Sequence, residues 1–541
     1  MKRNPIRHIG FACLAALLTA HVIFGQTVQS DIYAGGPPQY NAGANSIQVT
    51  PAVQSVPPVL PVSESYLKVL EARVAELEAR QGTTPAKAPE PYEVGSDLDM
   101  RASWHHGLEV ESKNKDFRIH VGGRTQADTT WFSGDDSIET PLAAGGVGPL
   151  QDAWNFRRGR LRVDGTMYEV IDFACEYDFV SEAAVDTPIS LLPPQSNPVA
   201  VPAPTDLWIQ ATHLPMLGTV RVGNQKDPLG FEHLTSSRWL NFIERSYMQD
   251  AFTGAFNNGF IPGIQAFNTY GDQRGTWAAG VFKNVNNAFA NGVGDGEYDA
   301  AGRITFLPWY ADEGRRLLHV GIAGTYKALD EDQVRFRSRA DLRSGAPGPQ
   351  NPVFANTGNI IGDDETQYGL ELAGVSGPWS FQTEYISSSV YDTFTVASAP
   401  GSAGFQAPPG TPLGTVTFDG FYVEMHYFLT GETRPYNRRS GVFDRVIPNG
   451  NFFIVRDQNG NICSGCGAWQ VLARYQFLDL TDPGIDGGRL DAITLGLNWF
   501  LNPNLKVQWN YDWMHRDFVN NLGARGDGDV HGFGARVAFD F

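Results

Sequence analysis

The stretch NFRRGRLRVDGTMY, residues 155–168, carries Arg158, Arg160 and Arg162 at every second position, with Leu161, Val163 and Met167 on the other parity. Side chains of a strand alternate between its faces, so three guanidinium groups would stack along one face and apolar residues along the other. Such a ladder could hand an oxyanion from contact to contact, because a guanidinium fork matches phosphate and carboxylate oxygens. The competing use is structural: Asp172 and Glu176, on the next stretch, could tie the same arginines into a wall. Either use needs the arginines away from lipid, where each would cost ~2–4 kcal/mol at the bilayer midplane.

Nothing else in the chain points to a catalyst. No G-x-S-x-G, H-E-x-x-H or phosphate-cradling loop is present in the sequence. The sequence therefore implies no catalytic residues, no cofactor and no metal. NGVGDGEYDA (291–300) and DPGIDGGRLD (482–491) carry oxygen ligands but miss the EF-hand register, and they read as turn loops. His105 and His106 lack a third ligand. Cys463 and Cys466 form CSGC in a Gly-rich loop, where a local disulfide is one reading. The segment SSRWLNFIERSYMQDAF (236–252) is compatible with a helix capped by Ser236 or Ser237.

The elements that would position these residues are strands. In LKVQWNYDW (505–513) the odd positions are Leu505, Val507, Trp509, Tyr511 and Trp513, and the even ones are Lys506, Gln508, Asn510 and Asp512. The pattern returns in VIDFACEYDFV, GFYVEMHYFL and AITLGLNWFL. About 16 such stretches, each near the ~9–11 residues that cross a bilayer as a tilted strand, lie between long polar loops and short turns. Aromatics gather at strand ends, as in Trp499-Phe500 and Trp513, and the chain closes with Val537, Phe539 and Phe541 on one face. The apolar face thus meets lipid, and the fold class is all-β: a transmembrane antiparallel β-barrel of about 16 strands with a short amino-terminal coiled-coil helix.

Residues 1–25 read as a signal peptide, with three basic residues ahead of an apolar run of about 15. A flexible Pro-rich linker (26–62) precedes a coiled-coil helix (63–81), in which Leu67, Leu70, Val74 and Leu77 hold a/d spacing. A second linker covers 82–116, and the barrel domain covers 117–541. Formal charge is −18, and three units lower without Lys2, Arg3 and Arg7, which argues against nucleic acid as a partner.

FRRGRLRVDG with the following YDF-type strand, VGNQKDPLGFEHLTSSRWLNFIERS, GAWQVLARYQFLDL and the closing aromatic together resemble the phosphate-selective porin O and P family. The resemblance implies a 16-stranded trimeric barrel of the outer membrane, narrowed by an inward loop and lined with basic residues that guide anions. It places Lys226, Arg238 and Arg245 near the eyelet, which with the lumen-facing ladder of Arg158, Arg160 and Arg162 read from alternation makes six pore-lining candidates. The implied partners are outer-membrane lipid, phosphate-like anions as permeants, and two further copies of the chain. Residues 26–96 could contact periplasmic or cell-wall material. The alternatives are a general-diffusion or cation-preferring porin, and a barrel that anchors an envelope-tethering segment.

Overall fold

A computed structural model describes residues 68–69, 71–73, 92–180, 202–253, 259–284, 296–329, 332–343, 351–396, 404–405, 407–456 and 459–541. The expected signal peptide and first linker lie outside these residues. So does the expected coiled coil, apart from residues 68–69 and 71–73, which are helical.

Sixteen long strands form one antiparallel ring. They are β1 (Phe117–Gly134), β2 (Ala153–Met167), β3 (Ile171–Asp178), β4 (Ala203–Leu214), β5 (Gly218–Lys226), β6 (Phe260–Tyr270), β7 (Gly275–Lys283) and β8 (Tyr298–Ala311). There follow β9 (Arg316–Ala328), β10 (Asp364–Ser376), β11 (Trp379–Phe394), β12 (Pro412–Phe428), β13 (Ala468–Asp482), β14 (Ile485–Asn502), β15 (Leu505–Asp517) and β16 (Gly528–Asp540). Each pairs with its successor, and β16 returns to β1 in a register running from Val530↔Gly134 to Asp540↔Arg124. Closure removes the open edges that would otherwise template aggregation.

Burial is inverted relative to a soluble sheet. On β15 Lys506, Gln508, Asn510 and Asp512 are buried, whereas Tyr511 and Trp513 are 44% and 45% exposed. The polar face is the inside, and the apolar face is the outer surface, as a lipid environment demands. Trp469 and Trp499 stack outward with ring centroids 5.0 Å apart, and Trp509 continues the row 6.4 Å from Trp469. Among the described residues no helix is long and apolar enough to cross a membrane; the strands do the crossing.

Connections distinguish the two ends. Tight turns join β2 to β3, β4 to β5, β6 to β7, β8 to β9, β10 to β11 and β14 to β15, and most connections at the other end are long. Short turns mark the periplasmic end. Two departures matter. DPGIDGGRLD is not a loop: residues 483–484 make a tight turn between β13 and β14, which have extended across the rest. Conversely, 429–467, between β12 and β13, is long although it lies at the short-turn end.

The second linker also needs correction. Met100–Trp104 and Leu108–Ser112 form a hairpin, and Leu108 to Glu111 pair with Val121 to Arg118 of β1. β1 outruns its partner β16 at this end, so its free backbone edge recruits a strand. The two runs are only five residues each, too short to stand out as alternation.

Candidate functional site

The lumen is filled by chain. In the connection between β5 and β6, residues 227–253 fold inward, carrying short helices α1 (Phe231–Leu234) and α2 (Tyr247–Phe252). The expected helix over 236–252 is thus reduced to its last six residues, with Ser246 rather than Ser236 or Ser237 at the cap position. The reason is competition for backbone groups. Lys506 Nζ donates to Leu240 O at 3.0 Å, Asn498 and Gln508 donate to Asn241 O at 2.8 Å each, and Arg536 donates to Ile243 O. Asn510 Oδ1 accepts from Ile243 N at 3.2 Å. Wall side chains satisfy the carbonyls that a helix would have used.

Charge holds this loop to the wall. Glu244, 3% exposed, accepts from Arg157 Nε at 2.9 Å and from Arg536 Nη2 at 2.8 Å, with Arg158 at 3.4 Å. Burial alone would raise its pKa, but Arg157 and Arg158 hold it well below the carboxylate range. Strict alternation would turn Arg157 towards lipid. A β-bulge, where Gln126 pairs with Arg158 but Ala127 with Phe156, turns both Arg157 and Arg158 inward. Farther out, Asp250 is gripped by Arg339 at 2.8 Å and Arg343 at 2.9 Å, and α2 packs through Phe252 on Phe336.

The six arginines and lysines expected at the eyelet separate into two groups. Arg160 spends its guanidinium on Asp178 (2.7 Å) and Glu176 (3.1 Å), and Arg162 on Asp206 (2.7 Å) and Asp164 (2.9 Å). Arg158 is held by Glu244 and by Gln126 at 2.8 Å. Arg238 lies 3.8 Å from Glu176 and 3.9 Å from Asp540. Lys226 and Arg245 differ. Lys226 Nζ donates to His233 O, and Arg245 donates to Glu232 O at 2.9 Å and Thr235 O at 2.6 Å. Burial lowers the Arg245 pKa only to about 10, so it stays charged at neutral pH.

Arg221 joins Lys226 and Arg245. Its guanidinium lies 3.9 Å from the Trp208 ring centroid and 5.0 Å from that of Phe267, with Nε on Gln210 Oε1 at 2.8 Å. Among the described residues none of Arg221, Lys226 and Arg245 has a carboxylate within ion-pair distance. All three line one cavity of about 430 Å³ together with Arg158 and Arg160. Arg162 and Arg238 are not part of that lining. Sequence reasoning missed Arg221 although its signal was available: it sits between Val220 and Val222 as Arg162 sits between Leu161 and Val163.

A segment from the short-turn end completes the constriction. Phe443 and Tyr436, in 429–467, pack on Phe231 with centroids 5.1 and 6.4 Å away, and Arg303 Nη2 donates to Gly441 O at 2.9 Å. Arg303 itself is paired with Glu371 at 2.7 Å, whereas Arg439 faces the same cavity. Cys466, in this segment, is a free thiol.

Two titrating groups sit on α1. His233 is pushed down to about 4 by burial and by Lys226, so it is neutral at physiological pH. Glu232 is pushed up to about 7 by burial and by Glu424, and its Oε2 accepts from Ser246 N at 3.0 Å. Its unfolded pKa is ~4.3, so its contribution to loop docking is full below that value and is lost as pH rises through about 7. Ionisation adds negative charge beside the cations. Anion preference should therefore fall between roughly pH 6 and 8, and Glu232→Gln should flatten that profile in reversal-potential measurements. A profile identical in the two proteins would remove Glu232 from the pore's field.

A family model described as phosphate-selective porin O and P matches residues 119–541. Porin O of Pseudomonas aeruginosa is 26% identical over 482 residues, which cover 83% of this chain and 93% of that protein. An uncharacterized protein of Caulobacter vibrioides is 28% identical over 473 residues, covering 85% and 81%. Among solved structures, the outer membrane channel DcaP of Acinetobacter baumannii aligns with 12% identity and a TM-score of 0.42, over 79% of this chain and 99% of that one. The anion-selective porin from Comamonas acidovorans aligns with 11% identity and a TM-score of 0.41, over 79% and 100%.

Proposed function

The chain belongs to the phosphate-selective porin O and P family, and from that premise we propose that it passes small oxyanions, phosphate among them, by diffusion through the constriction described above. It is an outer-membrane porin. The observation that carries the selectivity is the excess of positive charge at one cavity: among the described residues, Arg221, Lys226 and Arg245 face it without a carboxylate within ion-pair distance, and the one acid in its lining, Asp206, is bound by Arg162. A low-dielectric constriction is governed by the charges that line it, so the acidic net balance elsewhere does not set the preference. Lys226 and Arg245 are the contacts assigned to the permeant. Arg158, Arg160, Arg162 and Arg238, compensated by acids, shape the field from the wall.

Family membership and the a/d spacing of Leu67, Leu70, Val74 and Leu77 support a homotrimer with a periplasmic amino-terminal extension, preceded by a cleaved signal peptide. Residues 26–96 are available for an envelope contact, and a channel lacking them should still conduct.

The test is single-channel recording in a planar bilayer. Under a KCl gradient the reversal potential should favour chloride, and added phosphate in the millimolar range should block chloride current. Cation preference with no phosphate block would leave a porin and sink the oxyanion reading.

A further inference from the structure

The cavity at the constriction is not built for a small inorganic ion alone. Its volume of about 430 Å³ falls in the range that holds organic ligands, and much of its wall is apolar. Phe260, Phe267, Leu234 and Val442 line it among the cations, with the Phe260 ring centroid 5.5 Å from Lys226 Nζ and that of Phe267 5.0 Å from the Arg221 guanidinium. An eyelet meant only for a hydrated oxyanion would lose affinity to such a surface, which offers no hydrogen bonds to replace the ion's water.

Arg221 is organised for a directed contact. The Trp208 and Phe267 rings lie against the guanidinium (3.9 and 5.0 Å), and Gln210 fixes Nε at 2.8 Å. Its terminal nitrogens have no hydrogen-bond partner among the described residues. A guanidinium fixed in this way presents two parallel donors at little entropic cost. Phe267 thus serves both sides: it bears on Arg221 and forms part of the apolar wall.

We propose that the constriction prefers an oxyanion carried on a flat apolar body, of which an aryl phosphate monoester is the type, over inorganic phosphate. The head meets Lys226, Arg245 and the free edge of Arg221, and the body lies on Phe267, Phe260 and Leu234. Phe267 is the specificity-determining residue. This inference rests on the oxyanion reading above and names its substrate class.

The test compares phenyl phosphate with inorganic phosphate as blockers of chloride current through the full-length channel at pH 8, where both are mainly dianions. Phenyl phosphate should block at a concentration about tenfold lower, the gain expected from burying part of a phenyl ring. Phe267→Ser should abolish that difference, read as the ratio of the two blocking concentrations in the same variant channel, so that any loss of head binding through Arg221 falls on both anions alike and cancels. Equal block by the two anions in the parent channel, which needs no variant, would overturn the preference and leave the oxyanion channel standing. A preference that survives Phe267→Ser would overturn the assignment of Phe267. Block by neither anion would remove the oxyanion reading itself, and the preference with it.

Discussion

Glu244→Ala should turn a quiet, constricted channel into a wider and noisier one. The carboxylate is the meeting point of Arg157, Arg158 and Arg536, which reach it from β2 and β16. Removing it leaves these guanidinium groups facing one another in a buried space, although Arg536 keeps Asp128 at 2.7 Å. Breaking a buried ionic cluster by deleting one partner costs about 3–5 kcal/mol. Loop 227–253 should then leave the wall for part of the time. Single-channel traces should show larger mean conductance with frequent closures, and electrophoretic mobility of unheated samples should show that the barrel itself survives. Conductance as steady as in the parent would mean that the backbone bonds to Lys506, Gln508 and Asn498 suffice to hold the loop.

Lys226→Gln should weaken phosphate block by about tenfold to a hundredfold, the range of a charge-assisted hydrogen bond worth ~1.5–3 kcal/mol. Glutamine keeps an N–H donor on a side chain one bond shorter and removes the charge, so chloride conductance equal to the parent's would show that α1 stays in place and that the change in block reports the lost charge. Arg162→Gln is the contrast. Its guanidinium is committed to Asp164 and Asp206, so it is tested together with Asp206→Asn, which removes the acid it neutralises at the cavity; the double variant should shift block by no more than about threefold. If the two variants weaken block equally, the compensated arginines contribute as much as the uncompensated ones, and the division drawn here fails.

The barrel was legible because alternation is a period-two signal with a steric cause. The polar set Lys506, Gln508, Asn510 and Asp512 and the apolar set Tyr511 and Trp513 could be assigned to opposite faces from LKVQWNYDW alone. Lumenal orientation of Arg158, Arg160 and Arg162 followed from the same rule. What escaped were events that alternation does not encode. The bulge that turns Arg157 inward depends on pairing with Gln126 and Ala127, which lie on another strand. Glu244 sits in a loop, where no period tells which way a side chain points, and its partners lie far away in sequence. The helix expected over 236–252 was read from local propensity, and carbonyl capture by distant wall residues overrode it. Segment 429–467 offered one neglected clue: Arg434, Arg438, Arg439 and Arg445 crowd into a stretch of an otherwise acidic chain.

That segment and loop 227–253 enter the lumen from opposite ends and touch through Phe231, Tyr436 and Phe443. Each therefore supplies part of the surface on which the other rests. Their docking is one cooperative event: displacing either exposes apolar area on both, and the free energy of opening is shared between them. Permeability then reads out a local folding equilibrium inside an unchanging wall, and a ligand that favours one docked segment favours the other. A perturbation from the cell exterior and one from the periplasm therefore reach the same constriction, through a coupling that is mutual.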